Sequence, residues 1–294
     1  MGSLPVAASR PRARRWSPLG SLPVPVNALR LAFLVLSGCI AFFPFLVMLS
    51  TSFKPVREVF QLSAHLLPQR PILDNYVEVF SRSLMLRFLL NGTIVTGLTL
   101  LGQLLLSIPA AYAFARLSFP GKRALFVVVL AALVFPRYIA AVPNFLLLSG
   151  MHLINTYMSL IVPFIGSAFG IFLLRQFFLQ LPQEYFDAAH IDGCGLTAML
   201  WKVILPLLRP AIGAFAIFSI VSHWNDFFWP LVVIQKSAML TPPAGIVYFA
   251  DAEAGTKWSV IMAAAVVVIA PLALAFLAAR RQFISSLTHV ALKG

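Results

Sequence analysis

Charged residues are scarce in this sequence, and acidic residues are the scarcest of them. Only 11% of the 294 residues are charged, with 9 Asp and Glu against 22 Lys and Arg, while 60% are hydrophobic. Soluble domains carry charge at about a quarter of their positions. The scarcity of charge therefore excludes an ordinary water-soluble domain and makes the long apolar runs the main feature to explain.

Cysteine and catalytic motifs are also nearly missing. Cys39 lies in an apolar run and Cys194 in a polar segment, so they predict neither a disulfide nor a metal site. The Gly121-Lys122 pair does not complete a phosphate-binding loop, because Arg116 and Arg123 occupy the positions where that motif needs Gly and Ser or Thr. HExxH and GxSxG motifs are absent from the sequence. We expect no catalytic residue, no metal and no cofactor.

Long apolar runs recur along the chain and indicate its fold class. A transmembrane helix needs about 20 mostly apolar residues, and these runs do not alternate with polar residues as barrel strands do. We predict an all-α polytopic membrane protein with six transmembrane helices in residues 29–294. The predicted spans are about 29–49, 88–112, 124–148, 153–174, 210–234 and 259–279. Pro136 and Arg137 interrupt the third of them.

The distribution of basic residues predicts the orientation in the membrane. Residues 1–28 carry four arginines but no apolar core, which is typical of a disordered cytoplasmic arm and not of a signal peptide. With this arm inside, the inner segments hold twice as many Lys and Arg as the outer segments. We therefore predict that both termini are cytoplasmic. The net charge of +13 is explained by this topology and by anionic membrane lipid, and no nucleic-acid partner is expected.

One inner loop, residues 175–209, is longer than the others and contains the polar stretch DAAHIDGCG at 187–195. Pro182 is suited to a helix start. Glu184 and Asp187 follow in the first turns, where the helix dipole favours acidic side chains. The sequence therefore predicts a short helix that begins just after Pro182.

The same loop contains the signals that end this helix. Gly193 and Gly195 are predicted to break it, and a second short helix is predicted from about Thr197. Ala188 and Ala189 leave a flat patch that another backbone can approach closely. Helix physics alone leaves open whether this hairpin packs on its own bundle or docks on another chain.

The spacing in this segment resembles the EAA motif of the cytoplasmic loop of ABC importer permeases. That motif is Glu-Ala-Ala, three residues, Gly, nine residues and then Ile-x-Leu-Pro. Here Asp187-Ala188-Ala189 is followed at the same spacing by Gly193 and by Val203-Ile204-Leu205-Pro206. Asp187 and Val203 replace the usual Glu and Ile within the same chemical class.

Further segments resemble the carbohydrate-uptake branch of these permeases, and within it the maltose-type second permease subunit. They are AAYAFARLSFPGKR (110–123), INTYMSL (154–160), GIFLLRQFF (170–178), WNDFFWPL (224–231) and the terminal ALKG. The resemblance extends from about residue 30 to the end and implies the ABC type I importer permease fold in a bacterial plasma membrane. It also implies three kinds of partner: a second homologous permease subunit, two ATP-binding subunits that bind the ATP, and an extracytoplasmic solute-binding protein.

The resemblance implies a role for the hairpin as well. In this family the short helix before the glycine is the coupling helix, which sits in a groove of the ATPase subunit. The implied coupling segment is 181–206, with the residues Glu184, Asp187, Ala188, Ala189, Asp192, Gly193, Leu205 and Pro206. The implied function is that of a permease subunit, not an enzyme, which forms half of the translocation pathway of an ATP-driven sugar importer.

Trp224, Asn225 and Asp226 are candidates for the translocation path. An ionisable residue near an apolar span is a functional candidate by default. The alternative is that Asp226 lies at the outer interface and hydrogen-bonds to His223 or Asn225. The following outer loop, 235–258, contains a Pro-Pro pair and a Gly, and its counterpart in maltose-type relatives suggests contact with the binding protein.

Two alternatives to a sugar importer remain. Close relatives in the same family carry glycerol 3-phosphate or a glycerophosphodiester. The alternative from another class is a secondary transporter or a non-transporting membrane scaffold. Secondary transporters often show internal repeats and buried acids near the middle of the membrane. This sequence shows no repeat and a single acid near a span, which disfavours that class.

Overall fold

The computed structural model describes residues 24–60, 65–81, 83–249 and 257–291, which form helices, turns and irregular segments without a strand. Residues 1–23 of the predicted N-terminal arm lie outside these ranges, as do residues 292–294 of the terminal ALKG. The α-helices are α1 Val24–Ser52, α2 Val56–Val59, α3 Asp74–Ser81, α4 Met85–Arg116, α5 Lys122–Val134, α6 Ala141–Gly150, α7 Tyr157–Ile161, α8 Ala168–Gln180, α9 Glu184–Ile191, α10 Leu196–Ala198, α11 Leu205–Leu207, α12 Arg209–Trp224, α13 Phe228–Val233, α14 Pro242–Gly245 and α15 Trp258–Ala291. The described ranges also contain the 3-10 helices Arg137–Ala140, Val162–Phe164, Ser237–Met239 and Ile246–Phe249, and the π-helix Met199–Ile204.

The chain divides into two compact units, Met1–Val47 and Met48–Gly294. The described part of the first unit is the N-terminal portion of α1. The second unit contains the end of α1 and every other described helix. The candidate functional site lies within the second unit.

Three single helices are long and apolar enough to cross a membrane. They are Ala28–Ser52, Met85–Arg116 and Trp258–Leu277, with mean hydropathies of 2.5, 1.8 and 2.8. Three further pairs of helices satisfy the same test when each bent pair is counted as one span. The described residues therefore form three to six spans, which makes the chain a multi-pass membrane protein, and the predicted six is the upper end of this range.

The predicted third span is broken where the sequence predicted it. Its halves, Lys122–Val134 and Tyr138–Gly150, are bent by 91°. The break contains Pro136, which cannot donate a backbone hydrogen bond and disfavours a helical conformation in the residue before it.

Two other predicted spans differ from the expected continuous helices. The fourth is bent by 44° between Tyr157–Phe164 and Ala168–Gln180. Ser167 is the N-cap of the second half. Its Oγ accepts a hydrogen bond of 3.0 Å from the backbone N–H of Gly170. The fifth does not continue to residue 234, because α12 ends at Trp224 and α13 is a separate short helix.

Close helix packing in the second unit depends on two glycines. A methyl group on Gly170 would lie 2.8 Å from Ser107 Oγ and from Phe215 Cζ, so α8 can approach α4 and α12 closely only without a side chain there. A methyl group on Gly102 would lie 2.8 Å from Ile165 Cγ2. Gly166, by contrast, faces open space.

The start of the outer loop is tied to the bundle by two asparagines. Asn91 on α4 donates through Nδ2 to the carbonyls of Ala238 and Leu240, at 3.0 and 2.9 Å. Asn155 accepts through Oδ1 from the backbone N–H groups of Gln235 and Lys236, at 2.6 and 3.1 Å. The segment 235–240 is therefore held on the bundle.

Candidate functional site

The segment 181–206 folds as the predicted hairpin. Its first arm is α9, which follows Pro182 and carries Glu184 and Asp187 in its first turn. Its second arm begins at Leu196, one residue before the predicted start, and continues through the π-helix to Leu207. An 80° bend then separates this arm from α12. Two short helices joined at a glycine turn are thus confirmed.

Gly193 makes the turn of the hairpin through a Schellman motif. The N–H of Cys194 donates to the carbonyl of Ala189, and the N–H of Gly193 donates to the carbonyl of His190, each at 3.0 Å. Gly193 has a φ of +71°, in the left-handed region that favours glycine. Gly195 has a φ of −64° and serves as the N-cap of α10, so the predicted helix break is due to Gly193 and not to both glycines.

The inner face of α9 is part of the bundle. Phe186 and Ala189, one turn apart, are each 2% exposed. They pack in a core, here called the hairpin core, with residues from α4, α8 and the π-helix, including Tyr112, Phe178 and Met199. The expectation that both alanines form a flat patch for a partner is therefore wrong for Ala189, because its side chain is already covered by its own bundle.

The opposite face of α9 is exposed and forms a surface that we call the docking face. Its residues are Glu184, Asp187, Ala188 and Ile191, which follow the i, i+3, i+4, i+7 spacing of one helix face. Ile191 is 85% exposed, which is unusual for a large apolar side chain at the end of a short helix. This face thus presents two carboxylates, a small residue and an apolar tip.

Arg116, the last residue of α4, anchors the base of the hairpin. Its Nη2 donates to the carbonyl of Phe178 at 2.7 Å and also to the carbonyl of Leu181. These carbonyls end α8, where a cation also complements the helix dipole. The Arg116 guanidinium carbon lies 4.4 Å from the centroid of the Phe186 ring, in cation–π geometry.

A chain of side-chain hydrogen bonds connects Arg116 to the docking face. Arg116 Nη1 donates to Gln183 Oε1 at 3.0 Å, and Gln183 Nε2 donates to Asp187 Oδ1 at 3.1 Å. Asp187 is therefore oriented by its own chain while its side chain remains exposed. Neither the contact of Gln183 nor the anchoring role of Arg116 was predicted from the sequence. The only sequence feature that pointed to this anchoring role was an arginine at the end of a long apolar helix.

The other predicted coupling residues have different surroundings. Asp192 is exposed and is the C-cap of α9, with its backbone N–H donating to the carbonyl of Ala188 at 2.9 Å. Leu205 is half-buried against the hairpin core, whereas Pro206 is exposed. Asp192 and Pro206 are thus accessible to a partner, and Leu205 contributes mainly to the hairpin's own packing.

The three candidates for the translocation path make structural contacts. Trp224 is 7% exposed, and its indole N–H donates to the carbonyl of Val268 at 3.0 Å, which joins α12 to α15. Asn225 donates through Nδ2 to the carbonyl of Val221 at 2.8 Å. Asp226 accepts through Oδ1 from the backbone N–H of Trp229 at 3.2 Å, near the start of α13. The aspartate thus accepts from one of the first N–H groups of α13, although Phe227 occupies the N-cap position.

Comparison with known proteins assigns the class of the chain. Residues 84–289 match the family described as the binding-protein-dependent transport system inner membrane component. The chain therefore belongs to this family, and its predicted resemblance to ABC importer permeases is confirmed.

Three relatives and one solved structure illustrate the family. The chain is 33% identical to the arabinooligosaccharides transport system permease protein AraQ of Halalkalibacterium halodurans, over 96% of this chain and 99% of the relative. It is 32% identical to the diacetylchitobiose uptake system permease protein NgcG of Streptomyces coelicolor, over 88% and 86%. It is 30% identical to the sn-glycerol-3-phosphate transport system permease protein UgpE of Yersinia pestis, over 68% and 71%.

The solved structure is a bacterial ABC transporter involved in the import of the acidic polysaccharide alginate. It shares 23% identity with this chain, with a TM-score of 0.79 over 88% of this chain and 96% of that one. This likeness shows the predicted ABC importer permease fold.

Proposed function

We propose that this chain is a permease subunit of an ATP-driven, binding-protein-dependent sugar importer. It forms half of the translocation pathway and transmits ATP hydrolysis through the hairpin at 181–206. The observation that carries the coupling role is the docking face, in which Glu184, Asp187, Ala188 and Ile191 are exposed on one side of α9 while the other side is packed in the hairpin core. Because this packing fixes α9 to α4, α8 and α12, a displacement of α9 by a partner is transmitted to these helices.

The sugar assignment rests on the relatives that resemble the chain over most of its length. The relative from Halalkalibacterium halodurans is named for arabino-oligosaccharides, and it is aligned with 96% of this chain. The relative named for diacetylchitobiose is aligned with 88% of it. The second candidate solute is glycerol 3-phosphate or a glycerophosphodiester, which the relative from Yersinia pestis supports over 68% of the chain.

The proposed assembly contains this chain, a second homologous permease, two ATP-binding subunits and an extracytoplasmic solute-binding protein. Both termini face the cytoplasm of a bacterial plasma membrane, as the positive-inside distribution of Lys and Arg supports. The docking face then lies on the side where the ATP-binding subunits are. ATP is bound by those subunits, because the sequence of this chain contains no phosphate-binding loop.

Reconstitution into proteoliposomes tests this proposal. The complete complex, with ATP on the side of the ATP-binding subunits, should take up labelled arabino-oligosaccharide or diacetylchitobiose only when the binding protein is present. The purified chain alone should not hydrolyse ATP. ATP hydrolysis by the single chain, or uptake by the complex driven by an ion gradient without ATP, would contradict the proposal.

A further inference from the structure

A cleft of about 440 Å³ opens in the second unit beside the breaks in the third and fourth spans. Its lining includes Phe135, which directly follows α5, and Gly166 and Ser167, which directly precede α8. Irregular backbone at membrane depth is tolerated where it is buried in protein or lines a cavity. Interrupted helices of this kind also form the substrate sites of many transporters.

The floor of the cleft is polar and fixed by hydrogen bonds. Ser219 Oγ donates to Gln103 Oε1 at 2.6 Å, and Gln103 Nε2 donates to the carbonyl of Phe164 at 2.8 Å. Gln103 and Ser219 are 4% and 2% exposed, so their amide and hydroxyl groups are held in one orientation. Beyond these two bonds, the Gln103 amide keeps one N–H donor and the Ser219 oxygen keeps acceptor capacity, which hydroxyl groups of a solute can use.

The walls of the cleft are aromatic. The rings of Phe169 and Phe218 have centroids 4.4 Å apart, and Phe218 is 56% exposed. The Phe164 ring lies edge-on to His223, with centroids 5.6 Å apart. Small-molecule sites combine apolar and aromatic walls with a few oriented polar groups in volumes of about 300–1,000 Å³. Sugar rings have apolar C–H faces and polar edges, so they match both kinds of surface.

The charge of the lining distinguishes between solute classes. Among the described residues that line the cleft, none is Asp, Glu, Lys or Arg. A phosphate or carboxylate group placed there would lose water without gaining a counterion from these residues, which is costly. Arg137 lies two residues after Phe135 in the chain. Because this cationic residue is close in sequence to the lining, the experiment below also includes an anionic solute.

We propose that this cleft binds a neutral, hydroxyl-rich solute, a sugar or short oligosaccharide, on its way through this subunit. The inference rests on the transport function proposed above. It assigns solute contact to Gln103, Phe169, Phe218 and Ser219. Phe218 and Ser219 lie on α12 and precede Trp224 in sequence. The Trp224 side chain is packed between α12 and α15. It also favours a sugar over glycerol 3-phosphate as the transported solute.

Protection of an introduced thiol tests this site in the complete complex. Ser222→Cys places a thiol at the lining of the cleft, in a background that carries Cys39→Ser and Cys194→Ser. The probes are a mixture of arabino-oligosaccharides and diacetylchitobiose, and separately sn-glycerol 3-phosphate, each at millimolar concentration. The sugar mixture should slow maleimide modification of this chain about three- to tenfold, the range expected from stacking on aromatic rings and a few hydrogen bonds. Glycerol 3-phosphate should not slow it.

Matched variants on α12 complete the test. Phe218→Ala should abolish the protection, because it removes the exposed aromatic wall. Val221→Ala, on the same helix but outside the lining, should retain both the protection and ATP-driven uptake. Protection by glycerol 3-phosphate, protection by neither probe, or protection that survives Phe218→Ala would overturn the inference. Normal ATP-driven uptake by the complex in any of these cases would leave the proposed function intact and remove only the site.

Discussion

The guanidinium of Arg116 lies over the ring of Phe186, with 4.4 Å between the guanidinium carbon and the ring centroid. Arg116 ends the long helix α4, and Phe186 is on the buried face of α9. The contact therefore joins a membrane-spanning helix directly to the candidate coupling helix. The same arginine also donates to carbonyls at the end of α8. A displacement of α9 should therefore be transmitted to α4 and α8 together.

Substitution of Arg116 should uncouple the hairpin while leaving the spans in place. Arg116→Ala removes one cation–π contact and several charge-assisted hydrogen bonds, each of which contributes about 0.5–3 kcal/mol. We expect near-normal membrane abundance, weaker retention of the ATP-binding subunits and at least about tenfold slower uptake. Arg116→Lys should recover only part of the uptake, because an ammonium group cannot donate to Gln183 and the α8 carbonyls in the same fork geometry. Full uptake by Arg116→Ala would show that this anchor is dispensable.

The two adjacent alanines of α9 should respond differently to the same substitution. Ala188→Glu adds a bulky charge to the docking face, so the folded chain should persist while the ATP-binding subunits are lost on gentle detergent purification. Ala189→Glu places that charge in the hairpin core, where Ala189 is 2% exposed, and should lower the apparent melting temperature of the chain. Co-purification and thermal unfolding of both variants check the pair. Equal effects on both measurements would mean that α9 has no distinct inner and outer faces.

The turn of the hairpin should depend on Gly193 and not on Gly195. Gly193→Ala forces a side chain into the left-handed region at a φ of +71°, at a cost of about 1–2 kcal/mol. Gly195→Ala meets a φ of −64° and open space, so it serves as the matched control. Limited proteolysis at the hairpin and co-purification of the ATP-binding subunits should be altered by the first variant alone. The role assigned to the turn fails if Gly195→Ala is the more disruptive change.

The outer loop 235–258 should contribute to contact with the binding protein. Its first residues are held by Asn91 and Asn155, so a deletion of residues 250–256 leaves this base unchanged. We expect the shortened chain to assemble with all partners but to take up solute more slowly when the loaded binding protein is limiting. Uptake at the normal rate under that condition would show that the loop is only a connector. Asn155→Ala, which frees the backbone N–H groups of Gln235 and Lys236 but keeps the loop length, separates positioning from length.

The sequence predicted the existence of the hairpin better than its orientation. Pro182, the early acids and Gly193 are local signals, and each has a local physical meaning that the structure confirms. Which side of α9 faces the bundle depends on its packing against Tyr112 of α4, which is distant in sequence, together with Phe178 and the π-helix. Ala188 and Ala189 could therefore not be told apart. The Arg116–Gln183 hydrogen bond, between residues 67 positions apart, was beyond prediction for the same reason.

The spans show the same division between local and distant information. The break at Pro136 was predictable because proline changes the backbone wherever it stands. The break before Ser167 and the end of α12 at Trp224 were missed, because apolar composition alone does not distinguish a continuous helix from two short ones. The signals were present in retrospect: Ser167 is an N-cap, and Asp226 accepts from the N–H of Trp229 near the start of the next helix.

The most direct test of the coupling role is a site-specific cross-link from α9 in the assembled complex. A photoreactive phenylalanine derivative is introduced at Ile191, which is 85% exposed on the docking face, and separately at Val247 in the outer loop, which is 47% exposed. Irradiation followed by mass spectrometry identifies the partner of each position. The proposed function predicts an adduct with an ATP-binding subunit from position 191 and none from position 247. An adduct with that subunit from position 247, or its absence from position 191 in a complex that hydrolyses ATP, would contradict the assignment of this hairpin as the coupling element.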